Sequence, residues 1–231
     1  MKKNKNDCDL KTCPLCKLCL KEWLPAVDAH RKSLHVKKGE RLFTEGTNMT
    51  DIYFIYSGTV KVHKQWGKEK ELILRFAKSG DIVGHRGLGI DNIYPASATA
   101  IEPVTVCAID LEFFQSSLKI NLDFTFQLLM FYARELKESE RNMRNLAHMS
   151  VKGRVAQSLL TLHDKFGIDE EGFINITLSR QDLASFAGTT YETVFRIIND
   201  FTQENILKLS GKNISIVDTN KLLHFTKETE T

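Results

Sequence analysis

No apolar run in these 231 residues approaches the ~20 that a membrane-spanning helix needs, so a helical membrane anchor is not expected. The opening Met1-Lys-Lys-Asn-Lys-Asn-Asp has no apolar segment of a secretory leader, and a cytoplasmic location is the expectation. Charge of one sign is also scarce. The net charge is +3, and residues 150–226 carry eight Lys/Arg against nine Asp/Glu. An anionic partner would therefore be met by locally placed cations rather than by a basic domain. Signatures of catalysis are missing too: no nucleophile beside a base, no glycine-rich phosphate loop opening a helix and no two-histidine metal motif. The seven histidines are scattered, and an enzyme is not expected. The 42% hydrophobic content is ordinary for a soluble chain, and the length suits two modest domains.

What is present is most specific between Leu178 and Phe201. Ser179 stands three residues before Asp182, the spacing of a helix cap, and Leu183 and Phe186 give a first helix one apolar stripe. Gly188 ends it. Thr189 or Thr190 then caps a second helix with Val194, Ile197, Ile198 and Phe201 on one face, and Tyr191, Glu192, Phe195 and Arg196 largely on the other. This pattern is a helix-turn-helix, whose second helix enters the DNA major groove. Residues 203–217 add two short alternating strands around a Ser-Gly-Lys turn, a β-hairpin wing. Arg180, Thr190, Tyr191, Glu192, Phe195, Arg196 and Lys212 are the expected DNA-binding residues, with Lys152, Arg154 and Lys208 as further phosphate contacts. An amphipathic helix over Val151–Phe166, with Gly153 as a hinge candidate, and a strand over Ile174–Leu178 precede it.

Upstream, residues 34–109 alternate short β-runs with glycines at 39, 46, 58, 67, 80 and 84, the pattern of a small antiparallel barrel or jelly roll. A long helix follows over about 122–146. Phe126, Leu129, Ala133, Leu136 and Met143 recur in steps of three and four as a coiled-coil seam interrupted by Glu140, which favours a homodimer. Four of the five cysteines, Cys8, Cys13, Cys16 and Cys19, lie in the first nineteen residues. In a chain without an export signal such clustering points to metal or redox chemistry. Zinc on four thiols, an iron-sulfur cluster on three plus a distant one, and a Lys-rich tail with incidental thiols all remain open.

The motifs Arg180-Gln-Asp-Leu, Gly188, Tyr191-Glu-Thr-Val-Phe-Arg-Ile and Gly211-Lys-Asn-Ile resemble the DNA-binding domain of the Crp/Fnr regulators. Gly39-Glu-Arg-Leu-Phe-Thr-Glu-Gly46, Ile55-Tyr-Ser-Gly-Thr-Val60 and Ser79-Gly-Asp-Ile-Val-Gly84 resemble their cyclic-nucleotide-binding β-roll. The resemblance implies an α+β fold: a Cys-containing segment (1–30), a double-stranded β-roll sensor (31–120), a dimerisation helix (121–149) and a winged helix-turn-helix (150–226). It implies base contacts by Glu192 and Arg196, a palindromic DNA operator, a homodimer and RNA polymerase as a further partner. Phe195 stands where the family usually has a small residue, and an apolar side chain there can pack on a thymine methyl. Cyclic AMP is not the expected ligand. Members that bind it have Glu after the glycine matching Gly84 and a later Arg-Ser pair; here stand His85 and Ala96-Ser97, leaving Arg86 as a candidate for another anion or as a surface residue. Tyr94-Pro-Ala-Ser-Ala-Thr-Ala through Cys107 resembles the oxygen-sensing Fnr branch instead. That implies a 4Fe-4S cluster on Cys13, Cys16, Cys19 and Cys107, with Cys8 as a substitute ligand. The alternative is a regulator of this type without a cluster, constitutive or gated by another small ligand.

Overall fold

The computed structural model describes residues 2–3, 13–67 and 70–227, so Cys8 lies outside the described residues. The chain divides into two compact units, residues 1–136 and 137–231. The first is built on strands β1 (Lys2–Lys3), β2 (Arg31–Val36), β3 (Arg41–Phe43), β4 (Asp51–Ser57), β5 (Val60–Trp66), β6 (Lys70–Ala77), β7 (Ile82–Val83), β8 (Ser97–Ala100) and β9 (Val104–Asp110). They form two antiparallel sheets, ordered β1-β2-β9-β4-β7 and β3-β8-β5-β6. β9 lies between β2 and β4, with Cys107 paired to Ser33 on one side and Phe54 on the other. All but the second and last residues of β9 are buried, so it reads as a nearly unbroken apolar run rather than an alternating one.

Helices cover this sheet. Ahead of the roll come α1 (Pro14–Leu18) and α2 (Leu24–His30); after it come α3 (Leu111–Ile120) and α4 (Leu122–His148). Asp110 caps α3 by accepting from the Phe113 amide at 2.9 Å. Phe54 of β4 meets Phe114 of α3 and Phe124 of α4, with ring centroids 6.3 and 6.5 Å away, so the helices turn their aromatic residues onto the sheet.

The second unit contains α5 (Val151–Phe166), α6 (Arg180–Ala187), α7 (Tyr191–Gln203), β10 (Leu207–Ser210), β11 (Asn213–Ile216) and α8 (Thr219–His224). Val155, Leu159, Leu183, Val194, Ile198, Phe201, Ile206 and Leu222 are buried and supply its core. Two expectations need correction. The strand over Ile174–Leu178 is absent: Ile174 makes only an isolated bridge to Ile168 and donates to the Ile214 carbonyl at 2.8 Å. The Ile176 amide turns back onto the Ile174 carbonyl at 2.7 Å, which takes the donor a ladder would use. Gly153 is not placed as a hinge. It is buried in the first turn of α5, where an added Cβ would lie 2.6 Å from the Phe225 carbonyl oxygen. Among the described residues no helix is long and apolar enough to cross a membrane.

Candidate nucleic-acid interface and thiol core

The interface begins with local chemistry at the turn between α6 and α7. Ser179 accepts from the Asp182 amide at 2.9 Å and returns its hydroxyl proton to the Asp182 carboxylate at 2.5 Å, fixing the start of α6. Gly188 ends that helix in the left-handed region (φ 63°), where a side chain is disfavoured. Thr190 caps α7, its hydroxyl accepting from the Thr193 amide at 3.3 Å. Val194, Ile197, Ile198 and Phe201 are buried on one face of α7, each worth about 2 kcal/mol of apolar burial. Thr190, Tyr191, Glu192, Phe195 and Arg196 are all exposed on the other. The Tyr191 and Phe195 rings stack with centroids 6.2 Å apart and planes 16° from parallel.

β10 and β11 form the wing, registered from Leu207 opposite Ile216 to Ser210 opposite Asn213. Arg180 joins it to α6 by donating to the Lys212 carbonyl at 3.2 Å. Burial lowers the Arg180 pKa against the pull of Tyr191. Lys208 and Lys212 are exposed. Two other expected phosphate contacts already have partners within their own domain. Arg154 donates to the carbonyls of Met149, Ala187 and Gly188 at 2.9, 3.0 and 3.2 Å, so it braces the turn of the helix-turn-helix. Lys152 pairs with Glu204 at 3.2 Å and lies 4.4 Å from the Phe225 ring centroid.

The expected seam of α4 faces solvent in the single chain. Phe126, Leu129, Leu136 and Met143 are 57, 58, 61 and 64% exposed, and Ala133 and Glu140 are exposed with them. A helix that merely covered its own sheet would bury such a stripe. Residues buried from α4 instead include Phe124, Leu128 and Glu135.

Cys13 caps α1, Cys16 lies within it and Cys19 follows its end. All three are buried in the same hydrophobic core as Cys107. Two side chains dock this segment. Asn121, between α3 and α4, accepts from the Leu20 amide at 2.7 Å, and the Trp23 indole donates to the Ser117 hydroxyl at 2.9 Å. Burial, reinforced by Cys13, pushes the Cys19 thiol up to about 11. Among the described residues no three His, Cys, Asp or Glu side chains are disposed as a ready metal-ligand group.

His85 and Arg86 are occupied in a way the sequence did not reveal. The carboxylate of Glu135, buried on α4, is met by Arg75 Nε, His85 Nε2 and Arg86 Nε, each at 2.9 Å. Tyr132 donates its hydroxyl to the His85 carbonyl. Burial alone would raise the Glu135 carboxyl, but the His85 hydrogen bond and the two guanidinium charges outweigh it and hold it down to about 2. Burial, aided by the arginines, outweighs Glu135 at His85 and lowers its pKa. With Glu135 ionised, the carboxylate accepts and His85 Nε2 donates to it. Arg86 is neither a bare surface residue nor an open anion ligand. Ala96 and Ser97 are buried, and the Ser97 hydroxyl accepts from the Glu45 amide at 3.0 Å.

Residues 33–121 match the family model of the cyclic nucleotide-binding domain, and residues 153–225 that of the Crp-like helix-turn-helix domain. The chain is 30% identical over 187 residues to the CRP-like cAMP-activated global transcriptional regulator of Mycobacterium tuberculosis, covering 80% of this chain and 84% of that one. It is also 30% identical over 200 residues to the anaerobic regulatory protein of Bacillus subtilis, covering 84 and 83%. Among solved structures, FixK2 from Bradyrhizobium japonicum shares the fold with a TM-score of 0.77 at 23% identity, covering 86% of this chain and 98% of that one. Together with a β-roll, a long helix and a winged helix-turn-helix whose second helix exposes its polar face, these matches establish that the chain belongs to the Crp/Fnr family of DNA-binding transcription regulators.

Proposed function

We propose that the protein acts as a homodimer paired along α4, presenting two copies of α7 to the halves of a palindromic operator, with RNA polymerase as a further partner. The observation that carries the DNA half is the exposure of Glu192 and Arg196 on a helix whose opposite face is buried. Arginine matches the O6 and N7 acceptors of guanine, and a carboxylate the N4 donor of cytosine. The exposed stripe from Phe126 to Met143 supports the dimer, because water is a poor solvent for so long an apolar seam.

The signal we propose is redox state, sensed at Cys13, Cys16, Cys19 and Cys107. Family membership does not choose the signal, since one relative is cAMP-activated and another is an anaerobic regulator. Two features favour the second. Arg86, beside Gly84, is already paired with Glu135, which His85 also meets, and four thiols share one apolar core. Soft thiolates in a dry site suit a 4Fe-4S cluster, which when bound supplies an oxygen-labile centre. The chain's own part is mechanical: Asn121 and Ser117 hold the cysteine segment beside the first turn of α4, so a change in thiol packing bears directly on the dimer helix. A regulator without a cluster is the rival. Anaerobic purification with iron and sulfide analysis separates them. The proposal expects about four irons per chain, lost in Cys107→Ser along with regulated DNA binding; a colourless protein with full DNA affinity in air contradicts it.

A further inference from the structure

Tyr191 and Phe195 are 44 and 49% exposed on the outward face of α7, stacked on each other and flanked by Glu192 and Arg196. An aromatic pair left half in water is unfavourable unless a partner covers it. The buried core of the second unit does not include them. One turn apart, each ring limits the other's motion, and the Phe195 ring offers neither donor nor acceptor. Among the base edges of the major groove, the C5 methyl of thymine is the apolar feature. We propose that Phe195 is a specificity-determining residue that reads one thymine methyl per half-site, with Tyr191 as the positioning residue that holds its ring. The inference rests on α7 entering the major groove and deepens that reading.

The test uses the full chain and an operator recovered by selection from a random double-stranded library. Each thymine is replaced in turn by deoxyuridine, which keeps the hydrogen-bonding edge and removes only the methyl. At one thymine per half-site the affinity falls about fourfold, the worth of one buried methyl group; replacement in both halves multiplies to about fifteenfold, because distant sites add in free energy. Phe195→Ala binds the thymine and uracil probes equally, and alanine on an exposed helix face leaves the fold intact. Uracil tolerated at every position overturns the proposal while DNA binding stands. Equal uracil sensitivity in wild type and Phe195→Ala overturns it too, by assigning the methyl to another residue. If no sequence is enriched, the underlying reading fails and takes this one with it.

Discussion

At the scale of single residues, Glu135 ties α4 to the roll through Arg75, His85 and Arg86. Glu135→Gln removes the carboxylate charge that Arg75 and Arg86 meet in a mostly buried site, and loss of one partner in such a cluster costs about 3 kcal/mol. Both tryptophans, Trp23 and Trp66, lie in the first unit, so urea unfolding followed by their fluorescence measures this loss. The depressed carboxyl contributes stability that is full above its ordinary value and lost as pH falls toward about 2. The gap between wild type and Glu135→Gln therefore closes between pH ~4.5 and ~2; an unchanged gap at pH 2.5 contradicts the ionised assignment. Gly153 gives a second sign test. Helix propensity alone would favour alanine by about 1 kcal/mol, but its Cβ would lie 2.6 Å from the Phe225 carbonyl oxygen, which opposes it. Gly153→Ala destabilises by about 1–2 kcal/mol through overpacking, measured by hydrogen exchange of the α5 amides. Sequence could not show Glu135, whose partners Arg86 and Arg75 lie 49 and 60 positions away. Nor could it show that Arg154 and Lys152 are engaged within their own domain.

Among the elements, the ones governed by neighbouring residues were the readable ones. The cap at Thr190, the left-handed stop at Gly188 and the apolar period of α7 all act within a few residues, so the helix-turn-helix and its wing follow from local chemistry. The segment after Phe173 shows the limit. Ile174, Ile176 and Leu178 alternate as a strand would, yet the Ile176 amide is spent locally and no ladder forms. That Cys107 shares a core with the leading cysteines could be expected only from family resemblance, because spacing in sequence says nothing about a shared core. α4 offers a test at this scale. Leu129→Glu with Leu136→Glu places charge where both side chains are largely exposed, so chain stability stays within about 0.5 kcal/mol. Sedimentation velocity then shows a monomer where the wild type is a dimer; a variant that still dimerises removes the seam from the interface.

For the whole molecule, the proposed pairing along the exposed seam of α4 would make one association control two DNA contacts. Each recognition surface is small and its domain is not basic: eight cations face nine anions across residues 150–226. The proposal therefore predicts that a single half-site is held weakly and that affinity comes from engaging both at once. The most direct measurement of this claim is fluorescence anisotropy of the full chain on its selected operator, comparing the intact palindrome with a probe carrying one half-site. The account predicts that the palindrome binds at least about 100-fold more tightly, with the advantage lost in the Leu129→Glu, Leu136→Glu variant. Equal affinity for the two probes would contradict it.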